Sequence, residues 1–497
     1  MLEPEWATNM NELILVIVAL PLIAAIIASL VHEKSAKAIA ILGSAIACLV
    51  SIFGITTGGT IDRGFHHVFN APWLPKLGLM FSFGLDGMSS LLVLLTTFLT
   101  VIAVIVIPAP KSAVRAYYLS ILVAGALTNV AFASLNILLF YIAFEAALIP
   151  VLMSIGMFGG GDRSKAAIQF FVFTVIGSLL LLSAIIGLRI ATGSFDYLTL
   201  KDMVAGGDVD PSLLRWFAIA SFIAFATKAA VVPLHAWLGR AYVNTPTGML
   251  LLLSGAMAKL GVYGLIRFTL PLGGEFAGSL VPLIVTLGAV SVIYGAFVAA
   301  AQTDIKAVIA FSSISHMGYI VIGAVVGDDA ARSGSVLQML NHGITTGALF
   351  ICCDFISRYR GSRQVTALGG IWSDSPLFSR LLLLFTFSSV ALPLTNGFVG
   401  EFLILLGAFH KFPYQTAIAS AGAVGSAVYM LWMIQRSIYG GSKSEGSKVI
   451  SLGVSERCVF LALALMIIGI GVAPSPLLAI ASDNGHKVGA AMQPEVK

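Results

Sequence analysis

Charged residues are scarce in this chain of 497 residues: Asp, Glu, Lys and Arg make up 10% of it, whereas hydrophobic residues make up 58%. A soluble domain carries charge on roughly a quarter of its residues, so the soluble, disordered and fibrous classes are excluded together. The mean hydropathy of +0.98 predicts an integral membrane protein. Its apolar runs are continuous rather than alternating, which favours transmembrane helices over a β-barrel.

Cysteine is also rare, and the four cysteines, Cys48, Cys352, Cys353 and Cys458, include no CxxC pair. Cys and His residues do not cluster at ligand spacing, so we expect no disulfide framework and no zinc, haem or iron–sulfur site. There is no Walker lysine loop. A dinucleotide-binding turn follows a β-strand, and because we expect no strands in this chain, we expect no such turn. The sequence therefore predicts that this chain binds no cofactor and no metal.

The basic residues are scattered in short connections, so the net charge of +5 does not indicate a nucleic-acid partner. Most of them fall on one side of the predicted membrane, beginning with Lys34 and Lys37. The positive-inside rule makes that side cytoplasmic and places both termini outside, in the periplasm of a bacterial inner membrane. No Lys or Arg precedes Lys34, so the run from Leu13 to Leu30 is predicted to be a retained first span rather than a signal peptide.

The chain divides into apolar stretches long enough to cross a bilayer as helices, which takes roughly 20 residues each. We count about fourteen, and an even number places both termini on the same side. The predicted fold class is therefore an all-α integral membrane protein. The predicted spans are 12–31, 38–56, 84–107, 115–133, 136–158, 166–191, 213–234, 247–270, 279–301, 304–326, 333–357, 377–409, 415–439 and 453–480.

Two of these helices are interrupted in sequence, the seventh at Pro233 in VVPLH and the twelfth at Pro393 in ALPLTNG. Interrupted helices at corresponding positions of two halves are typical of transporter repeats, because the freed backbone groups line a hydrated cavity. Five spans lie in each half, so the second repeat is predicted to be inverted relative to the first. The predicted regions are 1–113 with helices one to three, 114–270 and 279–440 with the two repeats, and 441–497 with helix fourteen and the tail.

Six titratable side chains fall well inside apolar stretches, on six different helices. A charge at the bilayer centre costs about 2.5–3.5 kcal/mol on insertion scales, so each needs a reason to be there. Any one such group is equally well explained as a buried polar residue that forms a hydrogen bond with a neighbouring side chain. Six together favour a conduction path, because apolar residues would serve stability as well. These six titratable residues are Glu145, Lys228, Lys259, His316, His342 and Glu401.

Reversible protonation is the chemistry that suits this set. Glu145 and Lys228 carry opposite charges, and joining or separating such a pair moves a proton. Lys259 would pass the proton to His316 and His342, since a neutral imidazole accepts on one nitrogen and donates from the other. Glu401 would end the path. His235, beside the first interruption, is a weaker candidate that either gates entry to the path or caps the broken helix.

Polar residues near the ends of the spans have ordinary explanations. Asp86 is predicted to stabilise the N-terminus of its helix, and Asp304, followed by Lys306, does the same for the tenth span. The residues expected to be solvated near the membrane interfaces are His66, His67 and Asp354. None of these residues belongs to the predicted path.

The motifs FGLDGMS, PLHAWL, AQTDIKAVIAFSSISHMGY and NGFVGEF together resemble the antiporter-like membrane subunits of respiratory complex I, specifically the M type, which is the fourth mitochondrially encoded chain. The resemblance covers nearly the whole chain. It implies that Glu145 and Lys228 form an ion pair, that Lys259 is central and that Glu401 is the exit residue. Glu401 is the most discriminating of these, because the sister subunits of L and N type usually carry Lys there.

The same resemblance implies a proton-translocating subunit of an NADH:quinone oxidoreductase, without a redox site of its own. NADH, FMN, iron–sulfur clusters and quinone would then be bound by partner subunits. The membrane partners would be the N-type and L-type antiporter-like chains. Driven by redox chemistry in those partners, this chain would move protons along the six titratable residues.

Two departures from the family pattern stand at the predicted cytoplasmic edge. The family usually reads PLHxWLPDAHxxAPT, whereas this chain reads PLHAWLGRAYVNTPT, with Gly239, Arg240 and Tyr242 in place of Pro, Asp and His. In the DIK stretch, Ala307 stands where Arg is common. Because of their position, these departures put proton entry or a subunit contact in question rather than the central residues.

Three other functions remain open from sequence. The nearest is a large subunit of a multisubunit Na⁺/H⁺ antiporter or of a membrane-bound hydrogenase, in which the same channel serves another driver. A solute permease predicts a central cavity of substrate size and uptake by this chain alone. A purely structural scaffold predicts that all six titratable residues tolerate neutral substitution.

Overall fold

The computed structural model describes residues 13–57, 64–77, 79–439 and 449–482. Within these ranges, twelve helices are long and apolar enough to cross a membrane. The helical membrane fold predicted from the sequence is therefore confirmed. The predicted position of both chain termini, and most of the tail in 441–497, lie outside the described residues.

In chain order, the helices and strands of the described residues are α1 Leu13–Leu30, α2 Glu33–Thr57, β1 His66–Leu74, β2 Leu79–Leu85, α3 Gly87–Val106, α4 Val114–Ala133, α5 Ile137–Phe158, α6 Arg163–Thr192, α7 Tyr197–Gly206, α8 Pro211–Lys228, α9 Leu238–Asn244, α10 Thr247–Leu272, α11 Gly274–Ala300, α12 Ile305–Val325, α13 Asp329–Arg360, α14 Ile371–Asp374, α15 Pro376–Ser389, α16 Asn396–Phe409, α17 Pro413–Tyr439, α18 Val454–Val472 and α19 Ser475–Ala481.

The two sequence interruptions are real breaks in the helices. The seventh predicted span ends as α8 at Lys228, and the chain resumes helical geometry only at Leu238 in α9. The twelfth divides into α15 and α16, between Ser389 and Asn396. A proline removes one backbone donor and clashes with the preceding turn, which explains why both breaks contain one. The fourteenth span also divides, because α18 ends at Val472 and is followed by the short α19.

The expectation that the chain holds no strands is wrong. Residues of the connection between α2 and α3 form an antiparallel hairpin of β1 and β2, in which Phe69 is opposite Phe83. Across the hairpin, the rings of Trp73 and Phe81 stack with centroids 4.9 Å apart. Strands of nine and seven residues are too short to register as apolar runs of roughly 20 residues, which is why the sequence pattern does not predict them.

Burial separates central helices from peripheral ones. In α10 and α13 the whole apolar window is buried, and in α12 nearly all of it is, whereas in α1, α6, α17 and α18 only 33–39% of it is buried. In a bilayer, the exposed apolar faces are the ones that contact lipid. The three central helices carry Lys259, His316 and His342, so these polar groups lie among protein rather than toward lipid.

Three polar residues near the predicted membrane interfaces are buried, and for one of them, His67, the sequence predicts solvation. His67 is buried, with Nε2 3.1 Å from the Gly54 carbonyl oxygen. Lys306 is buried too, because its ammonium reaches back to donate to the Thr245 carbonyl at 2.6 Å. Arg267, close to the end of the eighth predicted span, is buried within α10, where it pairs with Asp86.

The remaining polar residues near the interfaces are two predicted helix caps, Asp86 and Asp304, and two side chains, Asp354 and His66, that are only partly exposed where the sequence predicts solvation. Asp86 accepts a hydrogen bond from Ser89 N at 2.8 Å and so caps α3. Asp304 accepts from Lys306 N at 2.7 Å and caps α12. Asp354 is half-buried and forms an ion pair with Arg358 at 2.6 Å. His66 is half-buried.

Candidate functional site

The structure divides the six titratable residues into two groups. Four of them, on α10, α12, α13 and α16, form one buried group, which we call the central cluster: Lys259, His342, His316 and Glu401. Glu145 on α5 and Lys228 at the end of α8 have no hydrogen bond or ion pair with that cluster. The central cluster thus joins the predicted repeat one, through Lys259, to repeat two.

Lys259 lies where α10 leaves regular α-helical geometry. A π-helical turn at Leu253–Met257 precedes it, in which Ala258 N donates to Leu253 O instead of to Ser254 O. The Lys259 ammonium donates to the Ser254 carbonyl at 2.5 Å and lies 2.7 Å from His342 Nδ1. Single π-helical turns inside α-helices are frequent at functional sites. In α10 the turn shapes the backbone that holds a fully buried ammonium group.

His342 continues the cluster towards His316. The two rings lie with centroids 5.5 Å apart, and they border a small cavity of about 10 Å³, roughly the space of one water molecule. Hydroxyl and amide side chains line the rest of this cavity, including Thr345 and Ser389. His342 Nε2 is buried and has no hydrogen-bond partner.

His316 and Glu401 form the far end of the cluster. His316 Nδ1 lies 2.9 Å from Glu401 Oε1, and both residues are buried. Gln338 donates to the same carboxylate oxygen at 3.1 Å. On its other side, His316 Nε2 lies 3.4 Å from the Ser389 hydroxyl. Both imidazole nitrogens therefore have polar neighbours, which is the arrangement that lets a histidine receive and release protons.

Polar side chains at the break between α15 and α16 support this end, and the sequence reasoning did not include them. Asn341 donates to the Asn396 carbonyl at 2.7 Å, and Ser388 donates to Asn396 Oδ1 at 2.5 Å. Thr345 and Ser388 share a hydrogen bond of 2.6 Å. The signal that would have found them is a polar stripe on α13 at helical spacing, which consists of Gln338, Asn341, His342 and Thr345.

Glu145 and Lys228 do not form an ion pair in this structure, since no nitrogen and oxygen of the two lie within 4.0 Å. The Lys228 ammonium is buried without a hydrogen-bond partner and lies 4.7 Å from the centroid of the Phe144 ring. One Glu145 oxygen is also buried without a partner. The hydroxyl-bearing Ser178 lies beside that carboxylate.

The broken helix after Lys228 is held by two side chains. Trp237 Nε1 donates to Thr227 O at 2.9 Å, and Val232 N donates to the Ser291 hydroxyl of α11 at 2.9 Å. Gly261 allows α10 to pack directly on the end of α8, because a Cβ there would lie 2.5 Å from Phe225 O. Lys228 and Lys259 are thereby carried by helices in close contact.

His235 stands in the same break but bonds to none of the six titratable residues. Its ring packs edge-on against Tyr294 of α11, with centroids 4.6 Å apart, and its Nδ1 has no hydrogen-bond partner. It is half-buried. These contacts test neither of its two predicted roles, as an entry gate or as a cap of the broken helix, so both stay predictions.

Three of the four departures from the family motif have specific local surroundings. A Cβ at Gly239 would overlap the ring of Phe311, so a proline cannot stand there without displacing that ring. Arg240 donates to Gln169 Oε1 at 2.9 Å at the exposed surface. Tyr242 is buried against Trp237 and Phe350. Ala307 is buried, and nothing in the structure explains the loss of the arginine common there.

The architecture and the residues above have counterparts in known proteins. Residues 134–426 match the family model described as NADH:quinone oxidoreductase/Mrp antiporter, transmembrane. The chain is 34% identical over 484 residues to NADH-quinone oxidoreductase subunit M of Rhodobacter capsulatus, covering 94% of both chains. It is 35% identical over 477 residues to NADH-ubiquinone oxidoreductase chain 4 of Marchantia polymorpha, covering 95% of both chains.

Solved structures share the fold over almost the whole length. A chain of respiratory complex I from Thermus thermophilus with bound NADH matches with a TM-score of 0.85 and 30% identity, covering 96% of this chain and all of that one. A chain of the Mrp complex from Dietzia matches with a TM-score of 0.81 and 20% identity, covering 98% of both chains. At that lower identity, the second match shows a common fold alone.

Proposed function

Since this chain belongs to the NADH:quinone oxidoreductase/Mrp antiporter membrane family, we propose that it is the proton-translocating M-type subunit of an NADH:quinone oxidoreductase. The observation that carries the proposal is the central cluster, a buried row of groups able to exchange protons that runs from Lys259 to Glu401 across two halves of the molecule. Identity to subunits named M and chain 4 favours this complex over an antiporter or hydrogenase assembly.

The geometry supports a stepwise transfer between neighbouring groups. A proton on the Lys259 ammonium passes to His342 Nδ1 along the 2.7 Å contact between them. The proton on His342 Nε2 leaves across the small cavity towards His316. His316 then delivers a proton from Nδ1 to the Glu401 carboxylate along the 2.9 Å contact.

Glu145 and Lys228 supply the charge that drives these steps. In the separated arrangement of this structure, the buried Lys228 ammonium has no carboxylate partner, so its charge is costly and sensitive to nearby charge. Formation of the Glu145–Lys228 ion pair, which the family resemblance implies, would neutralise the charge of Lys228 and so change the electrostatic surroundings of Lys259. Opening and closing of the pair is thus the proposed coupling between a signal from partner subunits and the central cluster.

We also propose which partner subunits, membrane and ion belong to this function. The chain itself carries out no redox chemistry, and NADH, FMN, iron–sulfur clusters and quinone are bound by partner subunits. Its membrane neighbours are the N-type and L-type antiporter-like chains. The assembly lies in a bacterial inner membrane with both termini of this chain on the periplasmic side. The ion that we propose is H⁺, because three of the four groups in the central cluster are nitrogen bases that exchange protons: Lys259, His342 and His316.

The test is replacement of the central lysine in the assembled complex. Lys259→Met keeps an unbranched side chain of similar length but removes the titrating ammonium group. We expect the number of protons pumped per electron from NADH to fall sharply. Lys165→Met, at an exposed position of α6, is the matched control and should pump normally. Pumping is measured in sealed membrane vesicles by a pH-sensitive dye. Wild-type stoichiometry in Lys259→Met would contradict the proposal.

A further inference from the structure

A second buried ion pair lies outside the six titratable residues. Asp86 at the start of α3 and Arg267 in α10 are both buried, and the guanidinium Nη2 donates to the carboxylate. Two buried charges are often no more stable than apolar residues of similar size. Keeping such a pair in a membrane protein therefore calls for a role beyond packing.

The pair lies at a cavity of about 490 Å³ that the central cluster does not reach directly. This cavity lies among the connections on the less basic face, and its lining includes Lys201, Gly327 and Arg332. Polar and apolar side chains both line it. A cavity of this size and polarity holds many water molecules.

Aromatic rings enclose the guanidinium. The centre of the Arg267 guanidinium lies 5.0 Å from the ring centroid of Phe65, 5.6 Å from that of Tyr197 and 5.3 Å from that of Tyr263. Each distance is within the range of a cation–π contact. The rings come from three separate segments, so the charge is held in place beside the cavity.

One face of α10 carries both the arginine of this pair and the lysine of the central cluster. Lys259, Tyr263 and Arg267 follow one another at a spacing of four residues, so their side chains lie along the same face of the helix. Arg267 Nε donates to the Tyr263 hydroxyl at 3.3 Å, and that hydroxyl donates to Phe132 O at 2.9 Å. A second π-helical turn, Leu265–Thr269, surrounds Arg267 just as the first precedes Lys259.

We propose that the Asp86–Arg267 pair is a gate between Lys259 and the cavity on the less basic face, with Tyr263 as the hydroxyl that connects them. In the closed state of this structure, Asp86 and the Tyr263 hydroxyl hold the guanidinium on α10 between the cavity and Lys259. Separation of the pair lets the guanidinium turn away and opens a route for protons between Lys259 and this cavity. This inference rests on the proposed proton translocation.

The competing explanation is structural. The pair also ties the end of the β-hairpin to α3 and α10, and loss of that link alone would weaken the fold without creating a path for protons. The two explanations differ in one observable. If the pair is a gate, its removal lets protons leak across the membrane through Lys259. If the pair is only a structural link, its removal causes no such leak.

The experiment uses the assembled complex in sealed vesicles without NADH, and follows decay of an imposed pH difference. The double variant Asp86→Asn/Arg267→Gln removes both charges, and we expect passive proton leak to rise about tenfold, equivalent to ~1.4 kcal/mol of barrier. Adding Lys259→Met should abolish the extra leak. The matched control is Arg360→Gln/Asp374→Asn, which neutralises an ion pair between α13 and α14 and should leak no more than wild type.

Each outcome bears on the gate. A leak that depends on Lys259 supports it, whereas an assembled double variant without added leak, or a leak that persists with Lys259→Met, overturns it. Should the double variant fail to assemble, Tyr263→Phe keeps the ion pair and removes only the connecting hydroxyl. Lower NADH-driven pumping in Tyr263→Phe with unchanged leak supports the gate, and normal pumping overturns it. Failure of the proposed function is distinguished by Lys259→Met alone, which would then pump normally.

Discussion

Lys259 Nζ lies 2.7 Å from His342 Nδ1 in the buried centre of the molecule. A charged ammonium has donors only, so while Lys259 is charged, His342 Nδ1 must accept and the ring proton must be on Nε2. That Nε2 has no hydrogen-bond partner and belongs to a ring that lines the small cavity shared with His316. The tautomer of His342 is thus fixed by the lysine, and its free proton is the one available to the next group.

The first prediction concerns this histidine. His342→Leu preserves volume and removes both nitrogen atoms, so Lys259 keeps only the Ser254 carbonyl as an acceptor. We expect NADH-driven pumping to fall as strongly as in Lys259→Met, because the relay is cut at its second member. The control is His32→Leu, at an exposed position before α2. Equal pumping in the two variants would show that His342 is not in the path.

The second prediction separates the charge of Glu401 from its hydrogen bonds. Glu401→Gln retains a side-chain oxygen to accept from Gln338, so assembly and thermal stability should stay near wild type while pumping is lost. Glu401→Ala should also lower stability by about 1–3 kcal/mol, because buried partners lose their acceptor. Glu275→Gln, on the exposed start of α11, is the control. Pumping by Glu401→Gln at the wild-type level would remove Glu401 from the path.

The third prediction concerns the separated pair. Glu145→Gln and Lys228→Met should each lower pumping sharply in complexes that assemble normally. Residues that act as a unit give non-additive effects, so the double variant should be little worse than either single one. Pumping and assembly are measured for all three variants and for the exposed control Lys165→Met. Additive losses would indicate two independent roles rather than one switch.

The fourth prediction is about packing between α8 and α10. In Gly261→Ala the new Cβ would lie 2.5 Å from Phe225 O and 2.6 Å from Ala229 N, so the helices must move apart next to Lys228. Overpacking of this kind costs about 1–3 kcal/mol. We expect a lower melting temperature together with reduced pumping. Gly469→Ala in α18 is the matched control, since no atom lies within 4 Å of its added Cβ.

The path residues are readable from the sequence because each is a titratable group inside an apolar run. Glu145, Lys228 and Lys259 stand out from 20 or so apolar neighbours, and that contrast requires no knowledge of the fold. Arg267 and Lys306 are not conspicuous in the same way, because each falls near the end of a predicted span, where a basic residue is ordinarily solvated. Their burial arises from Asp86 and Thr245, which approach from distant parts of the chain.

The hairpin is hidden in the sequence for a related reason. Strands of this length bury little apolar surface and leave no run that a membrane-span criterion detects. The polar groups around Asn396 are equally hard to predict, because Ser, Thr and Asn are common in membrane helices and nothing in one helix reveals which of them meet.

The amino-acid sequence by itself determined that this protein is a bundle of membrane helices, where two of them break, and which titratable groups its interior must accommodate. These follow from local quantities: the length of apolar runs, the missing backbone donor of proline and the cost of a buried charge. Only the tertiary structure decided that Lys259, His342, His316 and Glu401 meet while Glu145 and Lys228 stand apart. Hydrogen bonds reach only about 3 Å, and which side chains come that close depends on how helices far apart in the chain pack together.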